Sequence, residues 1–160
     1  MTQFTLRPVS PADLPWIRQF WIDHWGDEYM VINGELITPT GLPGFAAEMG
    51  GEVVGLATYR LQGSSCELLS IDALLEGKGI GTTLLNAVIA AARAAGCSRL
   101  HLVTTNDNLK ALHFYQTHSF HLCALRPGAI VTSRALKPSI PLLGNDSIPL
   151  RDEIVLEMAL

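Results

Sequence analysis

The spacing of apolar positions changes several times along the chain, and each change marks an element. Phe4–Val9 is short and extended in character. From Ser10 the spacing becomes helical: Leu14, Ile17, Trp21 and His24 recur every three or four residues, with Trp16 and Phe20 as a second apolar pair. Ser10 supplies an N-cap, Pro11 the first helical position and Asp13 an acid in the first turn. Trp25-Gly26 ends this helix. The stretch Asp27–Gly41 mixes Gly, Pro, Thr and acids without a period, which predicts a loop with at most a short helix.

Leu42–Met49 and Glu52–Leu61 read as strands joined by Gly50-Gly51, a two-residue hairpin signal. Cys66–Ala73 is a third, largely apolar strand. Gly77-Lys78-Gly79-Ile80-Gly81 then leads into a long helix. On it Ile80, Leu84 and Val88, with Leu85, Ile89 and Ala92, form one broad apolar face, and Gly96 is its stop. Arg99–Thr105 is a further strand, and Asn106-Asp107-Asn108 carries N-cap chemistry for a helix ending near Thr117. Phe120–Leu125 is extended. Arg126–Pro149 holds four prolines (Pro127, Pro138, Pro141, Pro149) and reads as irregular. In the last strand Ile154, Leu156, Met158 and Leu160 alternate with Glu153, Val155 and Glu157, which predicts a half-buried strand. The order is strand, helix, three strands, helix, strand, helix, strand, strand: a mixed α/β (α+β) fold, read as a single domain over residues 1–160.

Composition narrows the class. Hydrophobic residues make up 48% of the 160 and charged residues 16%, enough for a packed core and too apolar for disorder. Eleven Lys and Arg against fifteen Asp and Glu leave a formal charge of −4, so the basic footprint of a nucleic-acid binder is missing. No apolar run approaches the ~18–20 residues that span a bilayer, and MTQFTLRPVSPADL shows no secretory pattern. Cys66, Cys97 and Cys123 are an odd set without CxxC spacing and read as reduced thiols of a cytoplasmic protein. The five histidines lack metal-ligand spacing, so no metal is expected; His24 and His101 read as packing or surface residues.

The glycine loop carries the first chemistry. A helix N-terminus presents unpaired N–H groups and a partial positive charge, and glycines let a phosphate approach the backbone. Gly77, Lys78, Gly79, Ile80, Gly81 and Thr82 form such a start; the plain alternative is a tight turn with no ligand. The P-loop pattern GxxxxGK[ST] is absent. GxGxxG also fails, its third glycine falling on Thr82 or Leu84.

GKGIGTTLL, followed by NLKALHFYQTHSF, resembles the GNAT superfamily of acyl-CoA-dependent N-acyltransferases, whose motifs are [RQ]-x-x-G-x-[GA] and N-x-x-A-x-x-F-Y. The matching positions are Gly79 and Gly81 in the first motif, and Asn108, Ala111, Phe114 and Tyr115 in the second. Glu76 replaces the usual Arg or Gln, which puts an anion near the proposed pyrophosphate. Ser119 replaces the Gly that usually precedes Phe120. The resemblance implies a central mixed sheet in which the parallel strands Cys66–Ala73 and Arg99–Thr105 splay apart. It also implies acetyl-CoA as cosubstrate, backbone N–H groups of Leu69, Ser70 and Ile71 on the thioester carbonyl, and Tyr115 as acid to the coenzyme A sulfur. A core tyrosine packing beside Leu112 is the structural alternative. Asn108 caps its helix, contacts the cofactor, or both.

The attacking amine must lose a proton, so a base is needed. Glu67, on the strand before the glycine loop, stands where the family often has a catalytic Glu. It is expected to share a face with Leu69 and Ile71, with Asp72 opposite. Asp152 and Glu153 are further candidates, and pairing with Arg60, Arg99 or Arg151 is the structural alternative for each. Asp27, Glu28, Asp152 and Glu153 are candidates to attract a cationic acceptor. The expected function is acetyl transfer from acetyl-CoA to a primary amine of a small molecule or peptide, by a monomer or homodimer. The rival is a non-catalytic acyl-CoA-binding or regulatory module.

Overall fold

A computed structural model describes residues 3–160. The fold is mixed α/β, and its residues group into two compact units, neither continuous in sequence. The first comprises residues up to Leu14, Gly41–His101 and Ala159–Leu160; the second comprises Pro15–Thr40 and Leu102–Met158.

In the first unit the strands are β1 (Thr5–Pro8), β4 (Gly44–Met49), β5 (Glu52–Gln62), β6 (Ser65–Ala73) and the start of β7 (Arg99–Thr105), adjacent in that order. β2 (Met30–Ile32) and β3 (Glu35–Ile37) belong to the second unit. β1 pairs antiparallel with β4, β4 with β5, and β5 with β6. The Gly50-Gly51 hairpin forms as predicted: Met49 pairs with Glu52, and both glycines have positive φ, +61° and +83°. β6 and β7 are neighbours joined through α2 (Ile80–Ala94), a strand–helix–strand crossover. Ile80, Leu84, Leu85, Val88 and Ala92 of α2 are all buried, the apolar face read from spacing. The helix lies so close to the sheet that a Cβ on Gly55 would come within 2.7 Å of Ile80 Cγ2. Gly55 therefore marks the face of β5 that α2 covers.

Before the first long helix, Pro11–Asp13 forms a 3₁₀ turn, and α1 begins only at Leu14 (Leu14–Trp25). Ser10 and Asp13 form a capping box: the Asp13 carboxylate accepts from the Ser10 N–H at 2.7 Å, and Arg7 holds that carboxylate with two bonds of 2.9 Å.

The second unit corrects three expectations. The segment Asp27–Gly41 contains a hairpin, β2 (Met30–Ile32) with β3 (Glu35–Ile37). Its turn is Asn33-Gly34, with φ of +51° and +73°, the Asn-Gly pair that favours a two-residue turn between strands. The segment Arg126–Pro149 is not irregular throughout, because Ala129–Leu136 is a helix, α4. Pro127 precedes it and Pro138 follows it, so the prolines bracket the helix without interrupting it. The remainder is pinned by Arg134, which donates to the carbonyls of Ile140, Pro141 and Leu150, and by Asn106, which donates to that of Pro149. Finally, the last strand, β9 (Glu153–Ala159), buries Glu153, Val155 and Leu156 and leaves Met158 and Leu160 partly exposed. It lies between β7 and β8 (His121–Arg126), so one-sided alternation does not describe it. Helix α3 (Leu109–Thr117) matches expectation, with the Asn108 side chain accepting from the Ala111 N–H at 3.2 Å.

Candidate active site

In the first unit, β6 runs directly into the glycine loop. Gly77 and Gly79 have φ of +70° and +75°, a conformation that L side chains avoid, and Gly79 is the N-cap of α2. The first helical bond runs from the Thr83 N–H to the Gly79 carbonyl at 3.0 Å, and the Thr83 hydroxyl donates to the same oxygen at 2.8 Å. The N–H groups of Ile80, Gly81 and Thr82 precede that bond and lie at the positive end of a 15-residue helix. A Cβ built on Gly77 or Gly79 meets nothing within 4 Å, so open space faces both positions. Glu76 and Lys78 are exposed beside it. A phosphate-sized anion fits the chemistry of this cradle.

Seven residues before Glu76, β6 is irregular. Thr58 pairs with Ser70 and Tyr59 with Leu68, so Leu69 is an extra residue without a partner in β5. This bulge decides which way Glu67 points. Cross-strand partners share a face. Since Gly55 faces α2, Leu56, Thr58 and Arg60 take the other face, together with their partners Asp72, Ser70 and Glu67. Glu67 therefore shares its face with Ser70 and Asp72, and not with Ile71: the extra residue reverses the alternation expected from sequence. The Ser70 hydroxyl is buried against that of Thr58 at 2.5 Å.

Glu67 is 5% exposed and does not stand alone. Its partner across the ladder, Arg60, donates to Oε2 from Nη2 at 3.0 Å and Nε at 3.3 Å. From β7, His101 Nε2 lies 3.4 Å from the same oxygen. Burial pushes the Glu67 carboxyl up, but the hydrogen bonds from His101 and Arg60 outweigh it and hold the group below its ordinary range. Pairing with Arg60, one of the alternatives open at the sequence level, is thus realised. The contact with His101, read from sequence as packing or surface, was missed. Its signal lay in the alternation of β7: Leu100, Leu102 and Thr104 are buried on one face, which turns His101 to the other.

The second unit holds the remaining candidates. Tyr115 on α3 is 8% exposed, its ring edge-on to Phe114 and Phe120 at 5.4 and 5.5 Å. Its carbonyl accepts from the N–H groups of His118 and Phe120, which closes the helix end. Ser119, between them, sits at φ +74°. Of the acids expected to face an acceptor, Glu153 is 2% exposed, accepts from Arg126 Nη1 at 3.1 Å and takes the Asn33 N–H on both oxygens. That carboxylate is committed to holding the β2–β3 turn. Asp152 Oδ1 accepts from the Gly128 N–H at the start of α4. Asp27 and Glu28 lie on the more open segment between α1 and β2, where Asp27 Oδ1 accepts from the Glu28 N–H. Nearby, Lys137 Nζ donates to the Trp25 carbonyl at 2.9 Å, and burial lowers its pKa while Asp27 opposes that shift.

No group of three or more His, Cys, Asp or Glu suited to a metal ion occurs among the described residues. No helix among them is long and apolar enough to cross a membrane.

The model of the Acetyltransferase (GNAT) family matches residues 12–120. YdhI of Bacillus subtilis (strain 168), itself uncharacterized, is 41% identical over 140 residues, covering 87% of this chain and 88% of YdhI. Among solved structures, an IAA acetyltransferase from Bacillus cereus ATCC 14579 superposes with a TM-score of 0.73 at 21% identity, over 99% of this chain and 100% of that one. A GNAT family acetyltransferase from Elizabethkingia anophelis, with acetyl-CoA bound, gives 0.69 at 22% identity over 98% of each chain. At such identities the structural likeness speaks for the fold.

Proposed function

This chain belongs to the GNAT acetyltransferase family, and from that premise we propose that it transfers the acetyl group of acetyl-CoA to a primary amine. The observation that carries the reading is the continuous run of bulged strand β6, glycine cradle and helix α2. Residues Gly77 to Thr82 hold the pyrophosphate through backbone N–H groups and the helix dipole. The backbone at the bulge, Leu69 to Ile71, donates to the thioester carbonyl, because an extra residue frees main-chain groups from the ladder.

The cosubstrate supplies an activated acetyl group; the chain's residues supply proton transfer. The amine attacks only when neutral, so its proton passes to the side of the site where Glu67 stands. Tyr115 gives its phenolic proton to the departing sulfur. A phenol suits this role because it donates to a thiolate without competing as a nucleophile. Asp27 and Glu28 attract a cationic acceptor, whereas Glu153 and Asp152 hold structure.

Purified protein, acetyl-CoA and a panel of small amines and peptide N-termini test the reading, with the product identified by mass. An acetylated amine formed in step with thiol release is expected. Tight acetyl-CoA binding without any acetylated product would instead favour a binding or regulatory module.

A further inference from the structure

Three charged or titratable side chains meet on the face of the sheet away from α2, one from each of three adjacent strands: Arg60, Glu67 and His101. Arg60 Nε and Nη2 and His101 Nε2 all reach Glu67 Oε2. With Glu67 ionised, the ring nitrogen facing it, Nε2, carries the proton of a neutral imidazole. The lone pair then resides on Nδ1, and that atom is buried with no hydrogen-bond partner among the described residues. His24 and His118 differ. Nδ1 of His24 lies 2.9 Å from the Phe20 carbonyl, and that of His118 lies 2.6 Å from the Phe114 carbonyl, each one helical turn back. An unpaired buried nitrogen calls for an explanation, and a catalytic role is one that suits a basic atom.

We propose that His101 Nδ1 is the proton acceptor for the incoming amine, and that Glu67 acts through His101 by fixing its tautomer and Arg60 by keeping Glu67 ionised. This assignment rests on the transferase reading above and refines it. In the step, the N–H bond of the attacking ammonium breaks and its proton passes to Nδ1 through a bridging water, because Nδ1 itself is buried. The nitrogen keeps the electron pair and becomes the nucleophile. The imidazolium so formed is stabilised by the carboxylate 3.4 Å from Nε2, and it returns its proton to solvent after turnover. The arrangement follows the general logic of a base oriented by a third group. It also resolves a difficulty with Glu67 as the direct base. A carboxylate held below its ordinary range by His101 and Arg60 is a weak proton acceptor, whereas a neutral imidazole nitrogen with an unshared lone pair is free to take the proton. Other charged groups on this face of the first unit are Arg99, two residues before His101 on β7, Asp72 further along β6, and Arg7 on β1, which shares the face of Leu56 through Ala46; Arg7 is paired with Asp13 and Glu48, and Arg99 and Asp72 have partners of their own.

Two measurements test the proposal. The first follows thiol release from acetyl-CoA between pH 5 and 9 with two amine probes, strongly basic benzylamine and weakly basic 2,2,2-trifluoroethylamine. A limb owned by the acceptor moves with the probe; a limb owned by the enzyme does not. The wild type is expected to show an ascending limb shared by both probes. His101→Gln should lose that limb and fall in kcat by roughly 10²-fold, with acetyl-CoA affinity unchanged. Glu67→Gln should retain a limb, displaced to lower pH. A His101→Gln rate within threefold of wild type, or a limb that disappears in Glu67→Gln alone, would overturn the assignment. The second measurement reads the His101 ring by ¹⁵N NMR on the free enzyme. An Nε2–H tautomer is expected, and an Nδ1–H tautomer would refute the proposal whether or not either probe is accepted. A wild type that acetylates no amine at all counts against the transferase reading, and the ring measurement still decides the role of the histidine.

Discussion

Ser119 shows how much a single backbone angle can say. It occupies φ +74°, a region that costs an L residue about 1 kcal/mol or more and that glycine adopts freely. Ser119→Gly should therefore raise stability by roughly 0.5–1 kcal/mol, read as a higher urea midpoint at unchanged slope. An equal or lower midpoint would mean that the side chain contributes something the angle does not reveal. Tyr115 makes the complementary case, since its ring packs between Phe114 and Phe120 whatever its hydroxyl does. Tyr115→Phe keeps that packing. It should cut kcat by roughly 10²–10⁴ while sparing acetyl-CoA affinity, measured by steady-state kinetics and calorimetry. At this scale the sequence told residue type and motif position well. It did not tell orientation: one unpaired residue, Leu69, was enough to turn Glu67 to the opposite face.

Among the elements, those with a long regular period were legible from sequence. Helix α2, the Gly50-Gly51 hairpin and the Asn108 cap all follow from local rules. The β2–β3 hairpin was legible in principle, because Asn33-Gly34 separates two short apolar runs, but each strand is only three residues long and its period is too short to register. Helix α4 was hidden by its flanking prolines, and its buried positions, Ile130 and Ser133, are too few to form an apolar stripe. The glycine cradle leads to a prediction at this scale. Gly79→Val places a β-branched residue at φ +75°, into space that is open in the protein but needed by a phosphate. Acetyl-CoA binding by calorimetry should be lost while the circular-dichroism spectrum persists. Undiminished affinity would remove the cradle from the account.

The whole molecule joins stability to the same cluster. The Glu67 carboxyl is held below its ordinary range in the folded state by His101 and Arg60, against the opposing effect of burial. Its stabilising contribution is therefore present above the unfolded-state value, about 4.3, and drains away as pH falls through the lower folded-state value. Wild type should lose more of its urea midpoint between pH 6 and pH 3 than Glu67→Gln does. Parallel pH profiles would show that the cluster does not couple to folding. Across the chain, the family and the order of the longer strands and helices, without β2, β3 and α4, were readable because two motifs and a crossover are local patterns. The commitment of Glu153 was not, because it depends on an Asn33 N–H 120 residues away. The central claim is that this chain catalyses acetyl transfer through the cradle that β6 and α2 build. The most direct measurement is amine-dependent release of coenzyme A thiol, with the acetylated amine weighed by mass spectrometry, in wild type and Gly79→Val side by side. The account predicts stoichiometric thiol and acetyl-amine in the first and neither in the second. Product at equal rates from both, or acetyl-CoA bound by the wild type without any acetylated amine, would contradict it.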